Sequence, residues 1–478
     1  MKSKVAKNYV YNMAYQILTL ITPLITTPYV SRVLGATQIG KYSYTQSIVM
    51  YFVLAGTIGI SMYGQREIAY LQDEKEKSTR VFWEINILRA VTIIIALAIY
   101  IAACVMYGKY RLLYTIQIID IIANAFDISW FFQGIEEFKR TVIRNTFVKL
   151  LCVTMIFVLV KKQEDLPMYV LCYSLSLILG NISLWFYLPG YLVRIKASSM
   201  KVIKHLRPAI ALFIPQVAIQ VYTVLDRTMI GKLAKSEAMT QVGYYDQSQK
   251  IVKLLITVIT ALGTVMLPRM ANIYAKKDTK LLKEYMDKSF QYTYLLGFPL
   301  MLGLIAVSER FVPVFYGKGY DMVAVILVCI SPIIIFIGLS NVVGAQYQIP
   351  TDKHFDYTMS VVAGAIVNFF MNLILIPHIG VMGAVIATVV AELVVLFVHF
   401  YCVRKEINVK ESILFCRKYL LAGIAMFIVA YSISFVPLKN NIIVLIAQIT
   451  AGAAVYFGIL MLMKEELLWM IIRKVLKK

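Results

Sequence analysis

Ten charged side chains lie inside stretches of this sequence that are otherwise apolar, and they are the residues best placed to do chemistry. Six are cations, namely Arg32, Arg89, Lys149, Arg227, Lys250 and Lys253. Four are carboxylic acids, namely Asp120, Asp127, Asp226 and Glu392. A charge at the centre of a membrane helix costs about 2.5 to 3.5 kcal/mol on insertion scales. Residues of this kind therefore indicate either a functional site or a structural ion pair.

The six cations are of the type that binds a phosphate or another anionic group. Fixed positive charges in a water-filled site replace the hydration that an anion loses on entering the membrane. Lys250 and Lys253 are three residues apart and share a helix face, which favours a site that holds water or an anion beside them. Arg32 and Arg227 have a second interpretation, because a long arginine side chain can extend from a helix end to the membrane surface.

The four acids are candidates for carrying a coupling ion, a proton or Na⁺, or for neutralising a cation. At a rise of about 1.5 Å per residue, Asp127 lies at a depth similar to that of Arg89 and Lys149 in neighbouring apolar stretches. These three residues form either a structural ion pair or part of an anion site, and the depth match fits both. Asp120 lies higher in the same stretch as Asp127, whereas Glu392 is alone near the middle of another.

The elements that position these residues are predicted to be membrane helices. The chain has 478 residues, of which 60% are hydrophobic and 15% charged, and its mean hydropathy is +0.73. A soluble domain has about 25% charged residues, and about 20 apolar residues span a bilayer core as a helix. The runs are continuously apolar and do not alternate as barrel strands do. We predict fourteen spans, at 9–30, 43–65, 82–107, 111–133, 141–160, 166–188, 208–231, 242–267, 289–308, 322–343, 355–376, 380–401, 418–436 and 442–463.

The distribution of lysine and arginine predicts the orientation of these spans. With fourteen spans, thirty-two basic residues fall on the side of the termini and eleven on the opposite side. Basic residues are enriched on the cytoplasmic side of membrane proteins. We therefore expect a multi-pass protein of the cytoplasmic membrane with both termini in the cytoplasm. The net charge of +22 then reflects topology, and we expect no nucleic-acid partner.

A short phrase occurs twice in the chain and predicts its domain organisation. Residues 37–49 read TQIGKYSYTQSIV and residues 240–252 read TQVGYYDQSQKIV, with seven identities in thirteen positions. Six predicted spans separate the two copies, so both face the same side and the repeat is parallel. We expect an all-α integral membrane protein of about fourteen transmembrane helices, with two parallel six-helix bundles around a central cleft. The expected domains are 1–190, 200–405 and a C-terminal part at 406–478 with two additional helices and a basic tail.

Motifs for enzyme chemistry and for bound cofactors do not occur in the sequence. It contains no GxxxxGK[ST], HExxH or GxSxG pattern and no aspartate-rich diphosphate motif. The six cysteines have no CxxC spacing, which indicates neither a disulfide framework nor a metal site. We therefore expect a protein that is not an enzyme, has no cofactor or metal, and draws any uphill work from an ion gradient.

Two stretches resemble a known family. Both stretches resemble the polysaccharide repeat-unit transporters. The first is TTPYVSRVLGATQIGKYSYTQSIVMYF, followed by GISMYGQREIA at 59–69, and the second is FYGKGYDMVAVILVCISPIIIFIGLSNVVGAQYQIPTDK at 315–353. These belong to the multidrug/oligosaccharidyl-lipid/polysaccharide exporter superfamily. The resemblance implies an O-antigen or capsule type of flippase with a MATE-like fold. It implies transport of undecaprenyl-pyrophosphate-linked oligosaccharide units across the membrane by alternating access, with membrane lipids and other polysaccharide biosynthesis proteins as partners.

Two other functions fit parts of the pattern. An ion-coupled drug or cation antiporter of the same superfamily would share the two bundles, but such proteins prefer an acidic cavity, whereas the charges within these spans are mostly basic. A membrane glycan polymerase or glycosyltransferase would need a large outer loop or a soluble domain. The longest predicted outer connection, at 309–321, is short.

Overall fold

The structure, a computed structural model, describes residues 2–195, 200–436 and 440–476, and helix is the only regular secondary structure in these ranges. Two π-helical turns, Ile101–Val105 and Gly344–Gln348, occur among the helices. The α-helices are α1 (Lys2–Thr57), α2 (Ile60–Tyr70), α3 (Lys75–Tyr100), α4 (Arg111–Ala125), α5 (Ser129–Gly134), α6 (Phe138–Leu159), α7 (Leu166–Trp185), α8 (Leu206–Leu233), α9 (Ala238–Ala275), α10 (Thr279–Phe315), α11 (Asp321–Ile330), α12 (Ile333–Val343), α13 (His354–Ile379), α14 (Val381–Val403), α15 (Val409–Leu414), α16 (Cys416–Ile433), α17 (Asn441–Leu462) and α18 (Glu466–Leu476).

Twelve helical segments within the described ranges are long and apolar enough to cross a membrane. The first, Ile21–Tyr70, contains parts of two predicted spans, because α1 continues from the first span into the second. The predicted span 208–231 lies in α8, where the side chains of most residues before Val224 are outside the described part. Each of the other eleven segments coincides with one predicted span. The prediction of an all-α membrane protein is confirmed, and about fourteen spans is consistent with these helices.

Two glycines make the tightest connections between consecutive predicted spans. α1 is helical on both sides of Gly35, which has φ 75° and ψ 166°. Gly380, with φ 59°, is the single residue between α13 and α14. Glycine adopts a positive φ at little cost, whereas a side chain makes this conformation strained. Both connections therefore depend on glycine at these positions.

Contacts between the helices divide the chain into two compact units, the first unit at Met1–Gly231 and the second unit at Lys232–Lys478. The first unit packs around aromatic side chains that include the nearly inaccessible Phe82, Trp130 and Phe131. Gly64 permits this packing, because a Cβ atom there would lie 2.5 Å from Trp130 Cε3. The boundaries at 190, 200 and 405 stay a prediction.

The two C-terminal membrane helices belong to the core of the second unit. α16 and α17 pack on each other and on α10, and their buried side chains join one apolar cluster with those of α10. The Tyr456 hydroxyl donates to the Leu295 carbonyl at 2.9 Å. The Arg310 guanidinium donates to Asn441 Oδ1 and to the Ser434 carbonyl, each at 2.9 Å. These contacts fix α16 and α17 to α10 along their length.

Candidate functional site

Arg89 and Asp127 form an ion pair inside the first unit. Arg89 Nη1 donates to the Asp127 carbonyl oxygen at 2.7 Å, and Arg89 Nη2 lies 3.8 Å from Asp127 Oδ2. The Arg89 side chain is 1% exposed and the Asp127 side chain 24%. Asp127 Oδ1 also accepts from the Ser129 amide at 3.0 Å, at the start of α5. This geometry favours the ion-pair interpretation of Arg89 over the anion-site interpretation.

Lys149 lies in the same unit, on α6, where it is half-buried. Its ammonium group is close enough to interact with the Cys152 thiol, one turn later on the same helix. The ion pair of Asp127 in the described structure is formed with Arg89. Of Arg89, Asp127 and Lys149, which were predicted to lie at a similar depth, Arg89 and Asp127 therefore form an ion pair with each other.

Arg32, Asp226 and Arg227 also lie in the first unit, with different degrees of exposure. Arg32 is exposed, Arg227 is half-buried and Asp226 is 5% exposed. The next residue of α8, Thr228, has its hydroxyl 2.9 Å from that of Ser47 on α1, so the two helices pack together at this point. The exposure of Arg32 fits an arginine that extends to the membrane surface, whereas Asp226 is a buried acid.

Lys250, in the second unit, has a carboxylate partner that the sequence analysis did not single out. Lys250 Nζ lies 2.9 Å from Asp246 Oδ2 and donates to Gln247 Oε1 at 3.1 Å. The Asp246 side chain is 4% exposed, and Lys253, one turn further on, is exposed. The spacing of four residues between Asp246 and Lys250 is a signal present in the sequence. The charge of Lys250 is therefore balanced within its own helix turn.

Asp120 lies in a buried polar cluster, the Asp120 cluster, that connects three helices of the first unit. Asp120 on α4 is 6% exposed and is flanked by the side chains of Gln46 on α1 and Ser174 on α7. Gln117, one turn earlier on α4, is fully buried and donates through Nε2 to Gln46 Oε1 at 2.9 Å. The cluster brings a carboxylate, two amides and a hydroxyl together in the interior of this unit.

The second copy of the repeated phrase contributes to a buried network in the second unit. Gln249, which corresponds to Gln46 in the repeat, donates to the Tyr245 hydroxyl at 2.8 Å. The Tyr245 hydroxyl lies 2.9 Å from the Thr388 hydroxyl on α14. Glu392 follows Thr388 by one turn and is 9% exposed. The predicted acid in α14 is therefore buried near a neutral polar network.

Another buried group in the first unit, the Glu84 cluster, was not predicted. Glu84 is fully buried, and its Oε2 lies 2.7 Å from His205 Nε2 and 2.8 Å from Lys204 Nζ. Glu84 Oε1 accepts from the Lys201 amide at 2.6 Å, and the Tyr63 hydroxyl lies 2.8 Å from His205 Nδ1. The cluster fixes the segment Val202–His205 to α2 and α3.

The described part of the chain contains no group of three or more His, Cys, Asp and Glu side chains that could hold a metal ion. All six cysteines are free thiols.

Comparison with known proteins gives consistent sequence relatives. Residues 5–274 match the protein family described as "Polysaccharide biosynthesis protein". A protein of Escherichia coli (strain K12), provisionally named an O-antigen transporter, is 24% identical over 413 residues, covering 85% of this chain and 98% of that protein. A protein of Shigella dysenteriae with the same name is 24% identical over 380 residues, covering 78% and 94%.

Solved structures share the fold at low sequence identity. The lipid II flippase MurJ, in an inward closed conformation, has a TM-score of 0.77 and 15% identity, covering 96% of this chain and 99% of that one. The MATE multidrug transporter DinF-BH has a TM-score of 0.60 and 16% identity, covering 85% and 96%. At these identities the likeness shows the fold alone.

Proposed function

The chain belongs to the polysaccharide biosynthesis protein family, and on that premise we propose that it is a flippase for lipid-linked oligosaccharide. Its cargo is an oligosaccharide repeat unit joined through pyrophosphate to a polyprenyl lipid, moved from the inner to the outer leaflet for cell-surface polysaccharide. The observation that carries the proposal is similarity to two proteins provisionally named O-antigen transporters, over nearly their whole length. The membrane-spanning helices are consistent with this role.

The chemistry of the cargo explains why charged residues are kept in these helices. A hydrophilic glycan and its pyrophosphate cannot cross hydrocarbon unless a polar path replaces their hydration. We propose alternating access, in which the site opens to one side of the membrane at a time, without covalent chemistry. The cations proposed to contact the pyrophosphate are Arg32, Arg89, Lys149, Arg227, Lys250 and Lys253. Arg89 is the least available of these, because Asp127 holds it in a buried pair.

The proposal includes a location and an energy source. The protein acts in the cytoplasmic membrane with both termini in the cytoplasm, as the distribution of basic residues favours. Transport is coupled to H⁺ or Na⁺, which is carried by one of the buried acids Asp120, Asp127, Asp226 and Glu392. Other polysaccharide biosynthesis proteins supply the lipid-linked unit and receive it.

The test is a flipping measurement with the purified full chain in proteoliposomes. The vesicles contain a polyprenyl-pyrophosphate oligosaccharide with a fluorophore on the sugar, and an impermeant reductant bleaches the label in the outer leaflet. Without a flippase, about half of the label is protected by the bilayer, whereas we expect the protein to expose the remainder. Protein-free vesicles and a labelled phospholipid that lacks the glycan are the controls.

A cation antiporter is the alternative outcome of the same preparation. Vesicles loaded with a lipophilic cationic dye report transport of that dye when an imposed H⁺ or Na⁺ gradient drives it. Dye transport together with an inner-leaflet half of the glycan label that stays protected, as in protein-free vesicles, would replace the flippase proposal with the antiporter.

A further inference from the structure

Asp120 is an acid within a membrane-spanning helix that has no cationic partner among the described residues. It is 6% exposed, and its flanking side chains, Gln46 and Ser174, are neutral. Asp127, seven residues later, lies in an ion pair with Arg89. Two carboxylates of the first unit, seven residues apart, thus differ in their surroundings: Asp127 pairs with a cation, whereas Asp120 is flanked by neutral side chains.

An ionised carboxylate without a counter-charge is unstable in an apolar interior. Its burial is strongly unfavourable unless it is neutralised by a cation or a proton. Gln46 and Ser174 offer Asp120 hydrogen bonds but no positive charge, and no basic side chain of the described residues pairs with it. A charge that neutralises Asp120 would therefore come from solution. Ionisable groups kept inside membrane segments commonly serve ion or proton pathways.

The surroundings of Asp120 supply oxygen atoms suitable for a small hard cation. Gln117 is fully buried and donates through its Nε2 to Gln46, whereas its Oε1 has no hydrogen-bond partner among the residues that the structure describes. The Ser174 side chain is also fully buried beside Asp120. Leaving a buried carbonyl oxygen without a partner is unfavourable, so this oxygen is suited to accept a further ligand. Carboxylate, amide and hydroxyl oxygens are the ligands that hard cations prefer.

The titratable groups around Asp120 are neutral in their ordinary state. Tyr100 on α3 is close enough to interact with the Asp120 charge, and its hydroxyl donates to the Tyr114 carbonyl at 2.8 Å. The Cys104 thiol lies near Tyr100, and Tyr44 on α1 lies near Cys104. Unperturbed tyrosine and cysteine lose protons only near pH 10 and about pH 8.5. Among these groups, Asp120 is therefore the one that carries a charge in its ordinary state at neutral pH.

The sequence repeat offers a comparison, because the corresponding glutamine of the second unit has a neutral partner. Gln46 and Gln249 occupy the same position in the two copies. In the first unit Gln46 flanks Asp120, whereas in the second unit Gln249 donates to the Tyr245 hydroxyl. The buried Gln249 thus has a neutral hydroxyl as its partner, whereas Gln46 lies beside a carboxylate.

We propose that the Asp120 cluster, formed by Asp120, Gln46, Gln117 and Ser174, binds the single positive charge, H⁺ or Na⁺, that is coupled to transport. The coupling of this ion to transport rests on the proposed function, whereas the binding of the ion at Asp120 does not. The proposal selects Asp120 from the four predicted acids and separates it from Asp127, which neutralises Arg89.

The test measures cation binding by the purified full chain without cargo. The unfolding temperature is followed as NaCl replaces KCl at constant ionic strength, and infrared difference spectra follow the protonated carboxyl band as pH changes. Wild type, Asp120→Asn, Asp120→Glu and Asp127→Asn are compared. If the ion is Na⁺, we expect Asp120→Asn to lose the whole Na⁺-dependent shift, Asp127→Asn to retain it, and Ser174→Ala to weaken Na⁺ binding about tenfold.

If the ion is a proton, the wild type shows no Na⁺ shift, and a pH-dependent carboxyl band disappears in Asp120→Asn. In that case Asp120→Glu shifts the frequency of the band, which assigns it even if Asp120→Asn fails to fold. Identical Na⁺ responses and identical carboxyl spectra in wild type and the Asp120 variants would overturn the proposal. Cation binding at Asp120 combined with no glycan flipping would leave the site intact and refute the proposed cargo.

Discussion

Arg89 illustrates how a single residue can satisfy two predictions from sequence until its contacts are known. Its depth near Asp127 and Lys149 fits an anion site as well as a structural pair. The guanidinium is 1% exposed and contacts both the carbonyl and the carboxylate of Asp127. A cation enclosed in this way contributes mainly to the stability of the first unit.

We predict that Arg89→Ala lowers the stability of the protein. Removing one partner of a buried ion pair costs about 3 to 5 kcal/mol, because the other charge is left without compensation. Membrane abundance and the unfolding temperature in detergent should both fall, whereas Arg32→Ala, at an exposed arginine, should change neither. Normal abundance of Arg89→Ala with lost export would contradict this prediction and support the proposed contact of Arg89 with the cargo.

Glu406 provides a pH-dependent contact outside the membrane spans. Burial alone would raise the pKa of this carboxyl, but hydrogen bonds from the Lys353 ammonium and the Tyr347 hydroxyl, the latter at 2.6 Å, hold the pKa below its ordinary value. A lowered pKa stabilises the folded state above the pKa of the unfolded chain, about 4.3, and this contribution disappears as pH falls through the folded-state pKa.

We therefore expect Glu406→Gln to lower the unfolding temperature at pH 7 and to have a progressively smaller effect below about pH 4.5. The measurement is the difference in unfolding temperature between wild type and variant across pH 3 to 8. Glu164→Gln, at an exposed glutamate, is the matched control. A difference that stays constant over this range would contradict the assignment.

Contacts within one helix can be read from sequence spacing, whereas contacts between residues distant in the chain cannot. Asp246 and Lys250 are four residues apart, so their pair could be predicted from spacing, although it was not singled out. Glu84 and His205 are 121 residues apart, and no local pattern connects them. The same holds for Gln46 and Gln117, which meet only after α1 and α4 have packed.

At the scale of helices, the predicted spans agree with the structure because length and hydropathy are local properties. A run of apolar residues must form a helix wherever it crosses hydrocarbon, since its backbone groups have no other partners. The connections were harder to predict, because one residue such as Gly35 or Gly380 is enough to separate two spans. The role of the segment Val202–His205 depends on tertiary contacts and was missed.

We predict an energetic coupling between Glu84 and His205 that surface pairs lack. The two side chains meet at 2.7 Å in a site where both are almost inaccessible. A double-mutant cycle with Glu84→Gln and His205→Ala should give a coupling energy of about 1 to 3 kcal/mol. The control cycle uses Glu76 and Arg80, an exposed pair on the same helix, and should give about 0 to 0.5 kcal/mol. Equal coupling in both cycles would show that the Glu84 cluster does not hold α3 to Val202–His205.

At the scale of the whole molecule, the distribution of charge is a property that the sequence alone can give. Thirty-two lysines and arginines fall on one predicted side and eleven on the other. Each side is the sum of many short connections, so an error in one span boundary changes the total little. The glycan, by contrast, depends on the shape and polarity of a site assembled from distant residues.

The orientation leads to a prediction about two connections, one after α2 and one before α9. In a variant without native cysteines, a cysteine at Asp73 should be protected from an impermeant thiol reagent in intact cells, because that connection is expected to face the cytoplasm. A cysteine at Ser236 should react, because that connection is expected to face outward. Both residues are exposed, whereas Ser78, on the same side as Asp73, is 7% exposed and would be protected on either side of the membrane. Permeabilised cells are the control, and there both cysteines should react. Reaction at Asp73 with protection at Ser236 in intact cells would reverse the assigned topology, and with it the direction in which the cargo is proposed to move.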